Sequence, residues 1–153
     1  MTAFISIIIP VYNLEDYILE TLESVEHQTF KNFEVIIVDD ASSDNTTDLV
    51  EAVIENDNRF KLIENNRSKG VSGARNTGLA IAQGVWINFL DGDDVVPPNA
   101  LILKVEAIKA FPQCQFFTSD YHFWYPDGRY VSHTQYHPAW KTRFAEYLLE
   151  GRY

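Results

Sequence analysis

Four short segments of the chain are almost unbroken apolar runs, and each is followed by a stretch whose apolar residues recur every three or four positions. Phe4-Ile5-Ser6-Ile7-Ile8-Ile9-Pro10 and Phe33 to Val38 are β-branched and continuous, the character of strands covered on both faces in a parallel sheet. Phe60 to Glu64 and Val85 to Leu90 extend the series. Between them, Glu15 to His27 sets Tyr17, Ile18, Thr21, Leu22 and Val25 on one helical stripe, and Thr46 to Glu55 and Val71 to Ala82 repeat that spacing. Pro97-Pro98 opens a fourth helix, closed by Phe111-Pro112. Beyond it, Gln115 to Thr118 reads as a fifth strand. Tyr121 to Val131 reads as two strands around the turn Tyr125-Pro126-Asp127-Gly128, and Thr142 to Leu149 as a last helix.

This alternation predicts an α/β fold with a mainly parallel sheet flanked by helices and right-handed crossovers. Ligands of such sheets gather outside the carboxyl ends of the strands. The exits here are Pro10-Val11-Tyr12-Asn13, Asp39-Asp40, Asn65-Asn66-Arg67 and Asp91-Gly92-Asp93-Asp94, so carboxylates collect on one rim. Like charges placed together repel unless a cation sits among them.

Asp91 and Asp93 flank Gly92 in a turn and can reach one hard cation. Mg²⁺ or Mn²⁺ favours a few carboxylates plus substrate phosphate oxygens. The same residues can instead form a helix-capping turn ahead of Pro97. Asp39 and Asp40 offer acceptor-only groups to a ribose hydroxyl or a pyrimidine N–H, with Asp40 chosen for the base; capping of the next helix is the alternative. Lys69-Gly70-Val71-Ser72-Gly73-Ala74-Arg75-Asn76 can cradle phosphate or sugar oxygens, or can pack closely while Arg75 pairs with the acidic rim. Tyr12 is placed to stack on a base or simply to pack. The aromatic segment Tyr121, His122, Phe123, Trp124, Tyr125 and Trp140 suits a hairpin core or a sugar face. His27, His122, His133 and His137 lack metal-ligand spacing and receive no role.

Composition narrows the partners. With 12 Lys and Arg against 22 Asp and Glu, the net charge is -10, which excludes nucleic acid as a main partner and obliges a phosphorylated ligand to bring a cation or find local basic residues. At 153 residues one domain, 1–153, is expected. Cys114 is alone, so no disulfide framework forms and a cytoplasmic setting fits. No signal-peptide pattern opens the sequence, and no apolar run approaches the roughly 18 residues of a membrane span. A phospho-acceptor domain would carry its acidic pair after the first strand, where Pro10-Val11-Tyr12 stands instead.

In order along the chain, Ser6-Ile7-Ile8-Ile9-Pro10-Val11-Tyr12-Asn13, Gln28-Thr29-Phe30, Glu34 to Asp44, Gly70 to Gly78 and Phe89-Leu90-Asp91-Gly92-Asp93-Asp94 resemble family 2 glycosyltransferases of the GT-A (Rossmann-like) fold. The match covers residues 1–110 strongly, and residues 111–153 would begin the acceptor-side region of a C-terminally truncated domain. The resemblance implies that Pro10, Tyr12 and Asp40 hold the nucleoside, that Arg75 faces the sugar donor, and that Asp91 and Asp93 bind Mn²⁺ or Mg²⁺. Asp39 and Gly92 complete the substrate-binding set. It further implies inverting transfer from a nucleotide-diphosphate sugar, usually a UDP-sugar, to a saccharide or lipid-linked saccharide acceptor in bacterial cell-surface polysaccharide synthesis. Lipid-linked acceptors would bring peripheral contact with the inner face of the plasma membrane. The catalytic base is expected beyond Tyr153; Asp120, Asp127, Glu146 and Glu150 match no base motif, although Asp120 could line the acceptor side. A nucleotide- and metal-binding module without turnover is the alternative.

Overall fold

The computed structural model describes residues 3–55, 57–119, 121–125 and 129–133. It falls into two compact units, Met1–Phe111 and Pro112–Tyr153. The first holds strands β1 (Ile5–Val11), β2 (Phe33–Asp39), β3 (Phe60–Glu64) and β4 (Trp86–Phe89) and helices α1 (Ile18–Glu26), α2 (Thr46–Ile54), α3 (Val71–Ile81) and α4 (Ala100–Ala110). The second holds the antiparallel pair β5 (Tyr121–Trp124) and β6 (Tyr130–His133), with Phe123 opposite Val131.

The four-stranded sheet is parallel throughout, in the order β3-β2-β1-β4. Every residue of β1 and β2 is buried, as unbroken apolar runs require in the middle of a sheet covered on both faces. The short edge strands β3 and β4 are partly exposed. Strand alternation sorts the core into two layers. Ile7, Ile9, Val11, Val35 and Ile37 pack with Ile18, Leu22 and Val25 of α1, Val50 of α2 and Leu101 and Val105 of α4. Ile8, Ile36 and Val38 meet Ala74 of α3 on the other side. Helix α3 lies so close to the sheet that a Cβ on Gly78 would stand 2.6 Å from Ile8 Cγ2.

The chain winds from β1 through β2 to β3, then returns to place β4 on the far side of β1. Strand order therefore reverses between β1 and β4, the switch point where open α/β sheets leave a crevice.

Two expectations change. Residues 115–118 are irregular, so the anticipated fifth strand is absent; a run with only two apolar residues, Phe116 and Phe117, carries too little strand pattern to fix one by itself. Helix α4 begins at Ala100 rather than at the prolines: the Pro98 carbonyl accepts the Thr29 amide (2.8 Å), and the Pro97 carbonyl accepts Gln28 Nε2 (2.8 Å) and, in a tight turn, the Ala100 amide (2.9 Å). The turn residues Pro126, Asp127 and Gly128, the helix expected at 142–149, and Asp120, Glu146, Glu150, Trp140 and His137 lie outside the described residues.

Candidate functional site

At the switch point a cleft of about 180 Å³ is lined by Pro10, Val11, Tyr12, Leu14, Asp40, Val71, Ala74, Asp91, Gly92 and Asp93. Six of the eight candidate site residues thus meet in one place. The other two, Asp39 and Arg75, stand beside it.

Strand alternation separates the adjacent carboxylates at the end of β2. Asp39, the last residue of β2, accepts the Ser42 amide on both oxygens at 3.2 Å and closes the turn toward α2. Asp40 turns toward α3: its Oδ1 accepts from Asn65 Nδ2 (2.6 Å) and its Oδ2 from the Gly70 amide (2.7 Å), at the positive end of the α3 dipole. A carboxylate offers about four acceptor sites, so Asp40 retains capacity for a ligand. Ala41, next in sequence, has φ 65°, a left-handed conformation uncommon for alanine, and it turns the chain sharply after the carboxylate pair. Asn65 itself is held by Thr77 Oγ1, which donates to its Oδ1 at 2.8 Å.

The Asp91-Gly92-Asp93-Asp94 turn is closed by the Asp94 amide donating to the Asp91 carbonyl at 3.1 Å. Gly92 is buried against the end of β1, where a Cβ would meet Leu14 Cδ1 at 2.6 Å, Val11 Cγ1 at 3.1 Å and the Pro10 carbonyl at 3.2 Å. The Thr21 hydroxyl, buried in α1, donates to the Gly92 carbonyl at 2.9 Å. Position 92 therefore demands glycine because the turn is seated on β1, and the seat fixes where the two flanking carboxylates emerge.

Asp94 is under electrostatic load. The Asp94 carboxyl is pushed above its ordinary value, first by partial burial and then by the charges of Asp93 and Asp91. Arg75 Nη2 donates to Asp91 Oδ1 at 2.5 Å, and its guanidinium lies 5.5 Å from the Phe89 ring centre. Lys69 Nζ lies 4.4 Å from the centre of the exposed Tyr12 ring. Uncompensated negative charge and two carboxylates flanking one glycine suit a divalent cation that completes its shell with phosphate and water. No group of three or more ligating side chains occurs among the described residues, so the protein alone would hold such a cation only in part.

Sequence reasoning gave Thr21 and Gln28 no tie to the acidic turn or the segment after it. Thr21 sits on the apolar stripe of α1 and reads there as packing. Gln28 is fully buried and also accepts the Leu101 amide at 3.0 Å, tying the end of α1 to the segment after the acidic turn. A polar residue on a buried stripe is the signal that could have found Thr21.

A parallel sheet with a carboxylate-rimmed cleft at its switch point is the nucleotide-diphospho-sugar transferase fold of GT-A type, and solved glycosyltransferases share it. The chain belongs to glycosyl transferase family 2, whose family model matches residues 6–153. It is 50% identical over 90 residues to the Escherichia coli UDP-Glc:alpha-D-GlcNAc-diphosphoundecaprenol beta-1,3-glucosyltransferase WfaP, a match covering 59% of this chain and 35% of that protein. Staphylococcus aureus TarS 1–349 in complex with UDP-GlcNAc is similar, with a TM-score of 0.66 and 35% identity, over 71% of this chain and 32% of that one. So is the mannosyltransferase PcManGT of Pyrobaculum calidifontis in complex with GDP-Man and Mn²⁺ (TM-score 0.64, 28% identity, 71% and 33% coverage). The chain thus spans about a third of the length of the proteins it matches.

Proposed function

We propose that this chain forms the sugar-donor side of an inverting, metal-assisted glycosyltransferase that uses a UDP-sugar. The observation that carries the reading is the convergence of the β1 exit, Asp40 and the Asp91-Gly92-Asp93 turn on one cleft. Asp40, fixed by Asn65 and Gly70, would accept a hydrogen bond from the base, and Tyr12 would cover the nucleoside face. Pro10 and Val11 would form the floor. Asp91 and Asp93 would hold Mn²⁺ or Mg²⁺ against the diphosphate, and that cation, when bound, neutralises the charge that develops on the departing nucleoside diphosphate.

The volume of about 180 Å³ falls below the roughly 300–1,000 Å³ common for small-molecule sites, and in this reading the lining residues would be one wall of a donor pocket. The base that deprotonates the acceptor hydroxyl would come from elsewhere in the enzyme. The name of the E. coli relative, a glucosyltransferase acting on alpha-D-GlcNAc-diphosphoundecaprenol, supports a lipid-linked saccharide acceptor; cell-surface polysaccharide synthesis at the inner face of the membrane is the setting we propose with it. No helix among the described residues is long and apolar enough to cross a membrane.

Calorimetric titration with UDP, with and without Mn²⁺, against a GDP control and an Asp93→Ala variant, tests the reading. Mn²⁺-dependent UDP binding that Asp93→Ala abolishes is expected, and equal binding of UDP by the variant would remove the metal role. The open, single-walled cleft also favours a module that binds nucleotide and metal without turnover. Slow hydrolysis of a UDP-sugar by the chain would exclude that alternative.

A further inference from the structure

We propose that Arg75 is an internal counter-cation of the acidic turn: its guanidinium competes with a divalent metal for Asp91 and, once displaced, serves the diphosphate of the sugar donor. The inference rests on the donor-site reading above and assigns to one residue the coupling between metal and nucleotide.

Asp91 is the carboxylate of the turn that has an ion-pair partner among the described residues, and that partner is Arg75, at 2.5 Å. The pair is built to open. It is a single-point contact through Nη2, not the two-pronged fork that makes arginine–carboxylate pairs strong. The Arg75 side chain keeps 35% of its exposure and Asp91 49%, so water reaches both partners. Arg75 Nε is buried with no hydrogen-bond partner among the described residues, a donor that the present arrangement leaves unused. What holds the guanidinium besides Asp91 is the face of Phe89 at 5.5 Å, a contact that tolerates rotation.

Position does the rest. Arg75 follows Ala74 and lies one helical turn beyond Val71, and both of these line the cleft. A guanidinium released from Asp91 therefore stays at the cleft wall with its donors available, where a diphosphate would need neutralisation in a chain of net charge -10. Two carboxylates alone make a poor cation site, and an arginine occupying one of them makes it poorer until phosphate arrives. Metal and nucleotide then assist each other's binding, because each favours the arrangement in which Arg75 has left Asp91.

The test uses the 153-residue chain and Mn²⁺ alone, with free Mn²⁺ read by electron paramagnetic resonance, on the parent, Arg75→Met and Arg75→Lys. Circular dichroism confirms folding of each. Arg75→Met is expected to bind Mn²⁺ about threefold to tenfold more tightly without nucleotide. In saturating Mn²⁺ it should bind UDP about tenfold more weakly, with uridine binding unchanged. Arg75→Lys keeps the charge and should stay within about twofold of the parent for Mn²⁺, whereas a merely structural arginine would give the same result for both substitutions. Unchanged or weakened Mn²⁺ affinity in Arg75→Met overturns the proposal, and Mn²⁺-dependent UDP binding by the parent would leave the donor-site reading standing. Mn²⁺ tightening in Arg75→Met with no UDP binding by any protein sustains the competition for Asp91 and removes the donor-site reading.

Discussion

Gly92→Ala is the sharpest perturbation of the acidic turn, and a matched control exists in Gly78→Ala. Both additions overpack: the new Cβ would stand 2.6 Å from Leu14 Cδ1 at position 92 and 2.6 Å from Ile8 Cγ2 at position 78. At position 92 the Leu14 methyl can rotate away, but the Pro10 carbonyl at 3.2 Å is backbone and the Val11 methyl at 3.1 Å is locked in the core. Relief therefore comes from lifting the turn off β1, which stretches the 2.9 Å bond from Thr21 Oγ1 to the Gly92 carbonyl. Overpacking costs about 1–3 kcal/mol in each protein, a fall in melting temperature of roughly 4–15 °C for a domain of this size. The two variants should differ in ligand binding. Moving Asp91 and Asp93 by a few tenths of an ångström should weaken Mn²⁺-dependent UDP binding about fivefold to tenfold in Gly92→Ala, because cation sites tolerate little displacement of their ligands. Gly78 lies on the sheet-facing side of α3, away from the turn, so Gly78→Ala should bind within about threefold of the parent once allowance is made for its unfolded fraction. Thermal melts and UDP calorimetry on the pair decide the matter. Equal loss of binding in both variants, or parental binding in Gly92→Ala, would refute the claim that the seat of Gly92 on β1 positions the carboxylates.

Other consequences concern stability. Gln28→Leu leaves the Leu101 amide without its acceptor and removes donors from the Ser24 and Pro97 carbonyls, so urea unfolding should show a loss of about 2–4 kcal/mol. Glu34 sits at the amino end of the sheet. Burial raises its pKa, but the Ser6 hydroxyl, the Gln83 amide, Lys61 and the Gly84 amide together outweigh that and hold the carboxyl below its ordinary 4.5. Its stabilisation is therefore complete above about pH 4.5 and is lost as the pH falls through the lowered value. Glu34→Gln should be less stable at neutral pH and lose part of the parent's acid dependence, as read from denaturation midpoints at several pH values. Lys104 donates to Asn88 Oδ1 at 2.6 Å, and burial pulls its amine below the ordinary 10.5. Lys104→Met should melt higher than the parent at pH 7, and the gap should narrow as pH rises through the lowered value toward 10.5, because there the folded parent no longer carries the buried charge.

The sheet was legible because its information is local. Ile5 to Val11 and Phe33 to Asp39 are buried at every position, and a fully buried strand needs only an unbroken apolar run to announce itself. The alternation with helices then supplied parallel pairing, and the strand-exit rule placed Pro10, Tyr12, Asp40 and Asp91 to Asp93 on one rim. What the residues do to one another there was not legible, since it depends on contacts 16 to 71 positions apart along the chain. Asp39 and Asp40 are chemically identical neighbours, yet strand alternation sends one to a turn and the other to the start of α3, a difference that residue type alone does not display. Arg75 offered two readings in the sequence, pairing with the acidic rim or facing the donor, and the structure holds it on Asp91. These two are alternatives only for a static side chain. A single-point ion pair with an unused buried donor beside a cleft is a side chain with two places to be, and that duality is what allows one arginine to report on both metal and nucleotide.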